Sequence, residues 1–75
     1  MGKTIMLRVD ESLPQVLERI RREVAEDMKR MYNLNEITIN GTLASQILAA
    51  KMQGKNSLTF HIKKVGLNRG ILELL

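Results

Sequence analysis

The chain opens with alternation. Ile5, Leu7 and Val9 fall on one side of an extended backbone, and Thr4, Met6 and Arg8 fall on the other. That is the two-residue period of a half-buried strand. Burying three aliphatic side chains contributes roughly 1.5–3 kcal/mol each. A slip by one residue would turn all three to the wrong face, so the pattern fixes its own register. The period then changes. Ser12-Leu13-Pro14-Gln15 is a helix start. Ser12 is a competent N-cap, proline suits the first turn, and a glutamine three residues after the cap completes a capping box. Val16 or Leu17, Ile20, Val24, Met28 and Met31 then recur every three or four residues and predict one apolar helix face. Glu18–Arg22, Arg19–Glu23, Arg22–Glu26 and Glu26–Arg30 stand at i,i+4 on the other faces. Such pairs add only a few tenths of a kcal/mol each and read as a solvated surface. Asn33-Leu34-Asn35 ends the helix.

A second helix follows. Thr38, Asn40 and Thr42 are all competent N-caps, which leaves its start open by a turn. Leu43, Ala44, Ile47, Leu48 and Ala50 or Lys51 carry helical spacing, and Gly54 stops it. The small Ala44, Ala49 and Ala50 allow another helix to approach closely. The next segment fits two periods. Leu58, Phe60 and Ile62 alternate as in a strand, while Leu58, Ile62 and Val65 keep helical spacing behind an Asn56-Ser57 cap. We favour the helix, over residues 57–65. Gly66 and Gly70 then break the pattern, leaving residues 71–75 as a short apolar tail. The expected fold class is mainly α with one N-terminal β-strand, in a single domain over residues 1–75.

Composition sharpens this outline. At 75 residues, a domain buries only ~60% of its unfolded surface and is marginal without reinforcement. The chain has no cysteine for a disulfide, one histidine (His61) for a metal, and two aromatics, Tyr32 and Phe60. Oligomerisation is the remaining support. A lone terminal strand points the same way, because unpaired backbone groups against an apolar surface are costly. With no partner strand in its own chain, the partner is a second copy. No apolar run reaches signal-peptide or membrane-span length, so a cytoplasmic protein is expected.

The net charge is +4, and its placement says more than its size. Residues 1–50 hold seven Lys/Arg and seven Asp/Glu, which cancel. Residues 51–75 hold Lys51, Lys55, Lys63, Lys64 and Arg69 against Glu73 alone. A basic last third suits an electrostatic partner such as nucleic acid, or serves as a solubilising tail. Catalysis has little to work with. His61 has no Cys, Asp or Glu at useful spacing, and the acids fall mainly on the charged helix face. Neither an enzyme nor a cofactor is expected. Gly2-Lys3-Thr4 mimics the end of a phosphate loop but lacks the glycine and strand that such a loop needs upstream.

Thr4-Ile5-Met6-Leu7-Arg8-Val9-Asp10-Glu11-Ser12-Leu13 resembles the opening of ribbon-helix-helix transcriptional regulators, the Arc/Met repressor type. The resemblance covers residues 3–53. Residues 54–75 lie beyond it as a C-terminal helical extension, similar to members with a third helix from viruses of hyperthermophilic archaea. The family fold implies an intertwined homodimer whose antiparallel β-ribbon enters the major groove of double-stranded DNA in a sequence-specific way, as in a repressor. By position, Thr4, Met6 and Arg8 match the base-reading side chains. Ile5, Leu7, Val9, Leu17, Ile20, Val24, Met28, Leu43, Ile47 and Leu48 would then form the dimer core. The start of the second helix offers free N–H groups to a phosphate, through Thr38, Asn40, Gly41 and Thr42. Lys3, Lys55, Lys63, Lys64 and Arg69 would add phosphate contacts. The expected partners are DNA and a second copy, with no membrane and no small-molecule substrate. Two rival readings are an antitoxin of the same fold, whose C-terminal segment binds a toxin, and a structural helical dimer without DNA function.

Overall fold

Residues 57–74, expected as a helix and a tail, form a β-hairpin, and that hairpin is the middle of the sheet. The structure is a computed structural model that describes residues 2–75. Strand β1 (Lys3–Met6) leads into a long helix with three parts: α1 (Leu13–Arg19), a π-helical segment (Ile20–Ala25) and α2 (Glu26–Met31). Strand β2 (Glu36–Ile39), helix α3 (Leu43–Met52) and strands β3 (Ser57–Gly66) and β4 (Arg69–Leu74) follow. The sheet order is β1-β3-β4-β2, with β1 and β4 antiparallel to β3, and β2 parallel to β4.

This arrangement overturns the ribbon-helix-helix resemblance and the mainly α fold class. Strand β1 has a partner in its own chain: Lys3 stands opposite Phe60, Thr4 opposite Thr59, Ile5 opposite Leu58 and Met6 opposite Ser57. The argument for an intermolecular ribbon therefore falls away, and with it the division into a 3–53 core and an appended helix. The reason lies in Phe60. As a helix, Leu58, Ile62 and Val65 would turn inward and the phenyl ring would face water. As a strand, Leu58, Phe60 and Ile62 share one face, Phe60 is 0% exposed, and Val65 is left 47% exposed. The ring carries more apolar area than the valine, so the two-residue period wins. The same period claims Ile37 and Ile39, which turn toward the core while Thr38 turns out. Thr38 therefore belongs to a strand and not to a helix cap.

The first helix keeps its expected start. Ser12 N–H donates to Gln15 Oε1 at 2.8 Å, and Gln15 N–H donates to Ser12 Oγ at 3.5 Å, closing the capping box. Val16, Ile20, Val24 and Met28 are each no more than 1% exposed. An α-helix turns once in ~3.6 residues, so a side chain at every fourth position drifts ~40° round the axis at each step. The π-helical segment, bonded i→i+5, takes more residues per turn and brings the row back into line. The helix closes at Asn33, whose φ of 52° is left-handed, a conformation asparagine tolerates. Gly54 closes α3 in the same way, at φ 77°.

Both helices pack on one face of the sheet. Val16, Ile20, Val24 and Met28 from the first helix meet Leu43, Ile47 and Ala50 from α3, over Ile5, Leu58, Phe60 and Leu72. Six of the expected dimer-core residues, Ile5, Ile20, Val24, Met28, Leu43 and Ile47, are thus buried within one chain, with Leu7 and Leu17 packed at the margin. Val9 and Leu48 are not core. Strand β1 ends at Met6, which leaves Val9 fully exposed in the following turn. Leu48 follows the buried Ile47 by ~100° round the helix and is 48% exposed. Among the described residues no helix is long and apolar enough to cross a membrane.

Candidate nucleic-acid interface

The face of the sheet opposite the helices is polar. Cross-strand register sets Thr4 beside Thr59, Met6 beside Ser57, His61 beside Glu73, and Lys63 beside Ile71 and Thr38. At the last rung Arg69 stands between Gly66 and Glu36. The hydroxyls of Thr4 and Thr59 are bonded at 2.9 Å. Asn40 Nδ2 donates to Glu73 Oε2 at 3.0 Å, and His61 Nε2 lies 3.7 Å from Glu73 Oε1. Among the described residues the imidazole of His61 is the one aromatic ring on this face, because Phe60 points into the core and Tyr32 sits half-buried past the helix end.

Strand β3 outruns β1. Pairing with β1 stops at Phe60, so from His61 to Gly66 the strand is bonded on the β4 side only among the described residues. Lys63, Lys64 and Arg69 stand at this end, all exposed. Lys63 and Arg69 project from the outer face, and Lys64, opposite Gly70, projects from the other. Gly70 itself is packed tightly: a Cβ there would lie 2.6 Å from Ile62 Cγ2 and 3.1 Å from Leu34 Cδ1. That close approach holds the hairpin against the helix end beneath it.

The cations of the N-terminal half are mostly engaged. Arg19 Nη1 donates to Glu11 Oε1 at 2.7 Å and to the Met6 carbonyl at 3.0 Å, with Glu23 3.4 Å from its Nε. Lys3 and Arg30 both pair with Asp27, and Lys51 is bonded to the Glu11 carbonyl. The hydrogen bond from Lys3, with Arg30 nearby, holds the Asp27 carboxyl below its ordinary range. Lys63, Lys64 and Arg69 have no carboxylate partner among the described residues. No Asp or Glu occurs anywhere between Glu36 and Glu73.

The residues expected to read bases do not share a face. Thr4 and Met6 lie on the outer face, but Arg8 lies beyond the end of β1. Its backbone N–H is 3.4 Å from Glu11 Oε1, and it lines a cleft of about 470 Å³ with Asp10, Glu18 and Arg22. Lys3 is drawn to the helix side by Asp27. The Thr38–Thr42 segment is satisfied from within. Asn40 Oδ1 accepts from Thr42 N–H at 2.9 Å and from its hydroxyl at 2.8 Å. Thr42 is the N-cap of α3 without a side-chain cap bond, and Gly41 is open to solvent. Lys55 is exposed before β3, beside a smaller cleft of about 230 Å³. His61 and Glu73 were not among the expected site residues, whereas Arg69 was expected to contact flanking phosphates with Lys55, Lys63 and Lys64. The charge count already contained Arg69; the other two come together only through the β3–β4 register. No cluster of three or more His, Cys, Asp or Glu residues able to hold a metal occurs among the described residues.

Set against family models, curated proteins and solved structures, the chain matches none of them.

Proposed function

We propose that this chain binds double-stranded DNA through the β3–β4 end of its sheet, with Lys63, Lys64 and Arg69 on backbone phosphates. One observation carries the reading: three exposed cations without carboxylate partners among the described residues stand at one end of one hairpin, Lys63 and Arg69 on its outer face and Lys64 on the other, in a stretch of sequence devoid of acids. Neutralising phosphates releases condensed counterions, and that term supplies most non-specific affinity. The form of the nucleic acid follows from what the face lacks. Single strands are held by rows of exposed aromatics on which successive bases stack, and the outer face offers only the His61 imidazole, whose Nε2 lies 3.7 Å from Glu73 Oε1. A duplex offers its phosphates without stacking. The hydroxyls of Thr4, Ser57 and Thr59 lie on the same face as Lys63 and Arg69 and supply neutral donors and acceptors.

The test is the salt dependence of binding to a short duplex. Each phosphate contact contributes about −0.9 to the slope of log affinity against log salt. Lys63→Gln, Lys64→Gln and Arg69→Gln together should flatten the slope by about 2–3 and lower affinity for every duplex sequence alike. All three side chains are exposed, so the variant should melt like the parent. A parent that binds no duplex at low salt, or a triple variant with unchanged slope and affinity, would defeat the reading.

A further inference from the structure

Helix α3 has two apolar faces, and the core uses one. Leu43, Ile47 and Ala50 turn inward and are no more than 5% exposed. On the opposite side Ser45, Leu48, Ala49 and Met52 follow one another at i, i+3, i+4 and i+7, all exposed, with Leu48 at 48% and Met52 at 81%. That is the spacing of a packing face, not of a solvated one.

Charge is absent from it. Lys51 is the only ionisable residue in α3, and its ammonium is bonded to the Glu11 carbonyl, away from the outer side. The Ser45 hydroxyl is turned back onto the Thr42 carbonyl at 2.8 Å. Gln46 and Gln53 flank the row without charge.

We propose that this face is the contact surface between two copies of the chain, with their α3 helices antiparallel about a two-fold axis passing between Leu48 and Ala49. The occupant is argued from the row itself. A two-fold axis at that point sets Leu48 opposite the second copy's Ala49, and Met52 opposite its Ser45. Each large side chain then meets a small one in both halves, which is the self-complementarity that an isologous contact requires. Electrostatics select the same surface. The net +4 of each copy lies in residues 51–75, so two copies meeting through that end repel, whereas two uncharged helix faces meet without that cost.

Size sets the strength. Ten residues of helix span ~15 Å and cover a few hundred Å². A standard interface takes ~800 Å² from each partner, against a total surface here of 4944 Å². The dimer is therefore weak and concentration-dependent. Added salt should strengthen it by screening the net charge, which is the opposite of what salt does to DNA binding. The two proposals thus fail separately.

The experiment is sedimentation equilibrium of the full chain from about 10 µM to about 1 mM, in the concentration range where small interfaces associate. The parent should approach twice its monomer mass, and more readily at higher salt. Leu48→Glu places a carboxylate beside the axis in each copy and should weaken association at least ~10-fold. Circular dichroism confirms that this exposed substitution leaves the fold intact. Orientation is read by oxidation, since the chain has no cysteine of its own. Ser45→Cys mixed with Met52→Cys should cross-link. Ser45→Cys alone should not, because seven residues of helix separate the two thiols by ~10 Å along the axis, beyond disulfide reach. A parent that stays monomeric at about 1 mM, a Leu48→Glu variant that associates like the parent, or Ser45→Cys cross-linking as fast alone as in the mixture would overturn the proposal.

Discussion

The first helix and α3 lie on the same face of the sheet and share one core, yet they meet water differently. The first helix turns Glu18, Arg21, Arg22, Glu26 and Arg30 outward, whereas α3 turns out Ser45, Leu48, Ala49 and Met52. The contrast extends to the strands that follow each. Before residue 32, Lys3, Arg19, Arg22 and Arg30 are tied to Glu11, Glu23 and Asp27, while Arg8, Arg21 and Lys29 have no ion partner among the described residues. After residue 54, Lys55, Lys63, Lys64 and Arg69 stand without ion partners among the described residues. Exposed ion pairs contribute little stability, but they cancel the local field and keep a surface wet. The N-terminal half therefore acts as a self-neutralised scaffold. The C-terminal half completes the same core and also presents one uncharged and one cationic surface.

The largest expected effect comes from two neighbours on α3. Ile47 is fully buried and Leu48 is half exposed. Ile47→Ala should cost about 2–5 kcal/mol, the usual range for emptying a packed site. Leu48→Ala should stay within about 0.5 kcal/mol, as for a surface position, at concentrations where the chain is monomeric. Urea unfolding of both variants measures the difference. Equal losses would mean that α3 is buried on both sides within one chain.

Sequence periodicity located the helices far better than the sheet. The Ser12 cap, the row Val16–Ile20–Val24–Met28 and the Gly54 stop are local signals, each set by a few adjacent residues, and all three stand in the structure. The sheet depended on one ambiguous segment. Leu58, Phe60 and Ile62 fit a strand and Leu58, Ile62 and Val65 fit a helix, so periodicity alone left Phe60 undecided. Reading that segment as a helix removed the strand that pairs with β1 and made a dimer ribbon look necessary. One misplaced element thus produced both the wrong fold and the wrong reason for a partner. Strand β2, four residues long, was hidden among Thr38, Asn40 and Thr42, which all resemble helix caps. At the candidate site, Lys63 and Lys64 were visible in the charge count. Their placement with Arg69, and the pairing of His61 with Glu73, needed the β3–β4 register.

The buried Arg19–Glu11 pair ranks second. The two side chains are 11% and 4% exposed, unlike the other pairs of this half. Removing one partner of a buried pair costs ~3–5 kcal/mol. Arg19 retains the Met6 carbonyl and Glu23, so Glu11→Gln should cost about 2 kcal/mol by the same reasoning. Glu26→Gln on the exposed face should stay within about 0.5 kcal/mol. If both variants unfold at the same denaturant concentration, Glu11 is no more structural than the solvated face. Two glycines then compare the ends of α3. Gly54 has φ 77° and Gly41 does not have positive φ. Gly54→Ala should destabilise by about 1 kcal/mol. Gly41→Ala should be neutral or stabilise by up to about 1 kcal/mol, because nothing lies within 4 Å of the added Cβ. Thermal melts of the two variants should therefore move apart, and parallel shifts would remove the conformational argument.

The smallest effect is a pH dependence in the self-neutralised half. Asp27 joins the edge strand to the first helix through Lys3, with Arg30 on its other side. Those contacts lower its pKa from the ordinary 3.8, the hydrogen bond from Lys3 first. A carboxylate with a depressed folded pKa takes up its proton more readily when unfolded. Its contribution is therefore complete above the ordinary value and is lost as pH falls through the folded one. Asp27→Asn should melt below the parent at pH 7. The gap should narrow as pH drops below 3.8, and it should narrow also with added salt, because the contacts are solvent-accessible. A gap that stays constant from pH 7 into acid would show that Asp27 holds β1 by shape or hydrogen bonding and not by its charge.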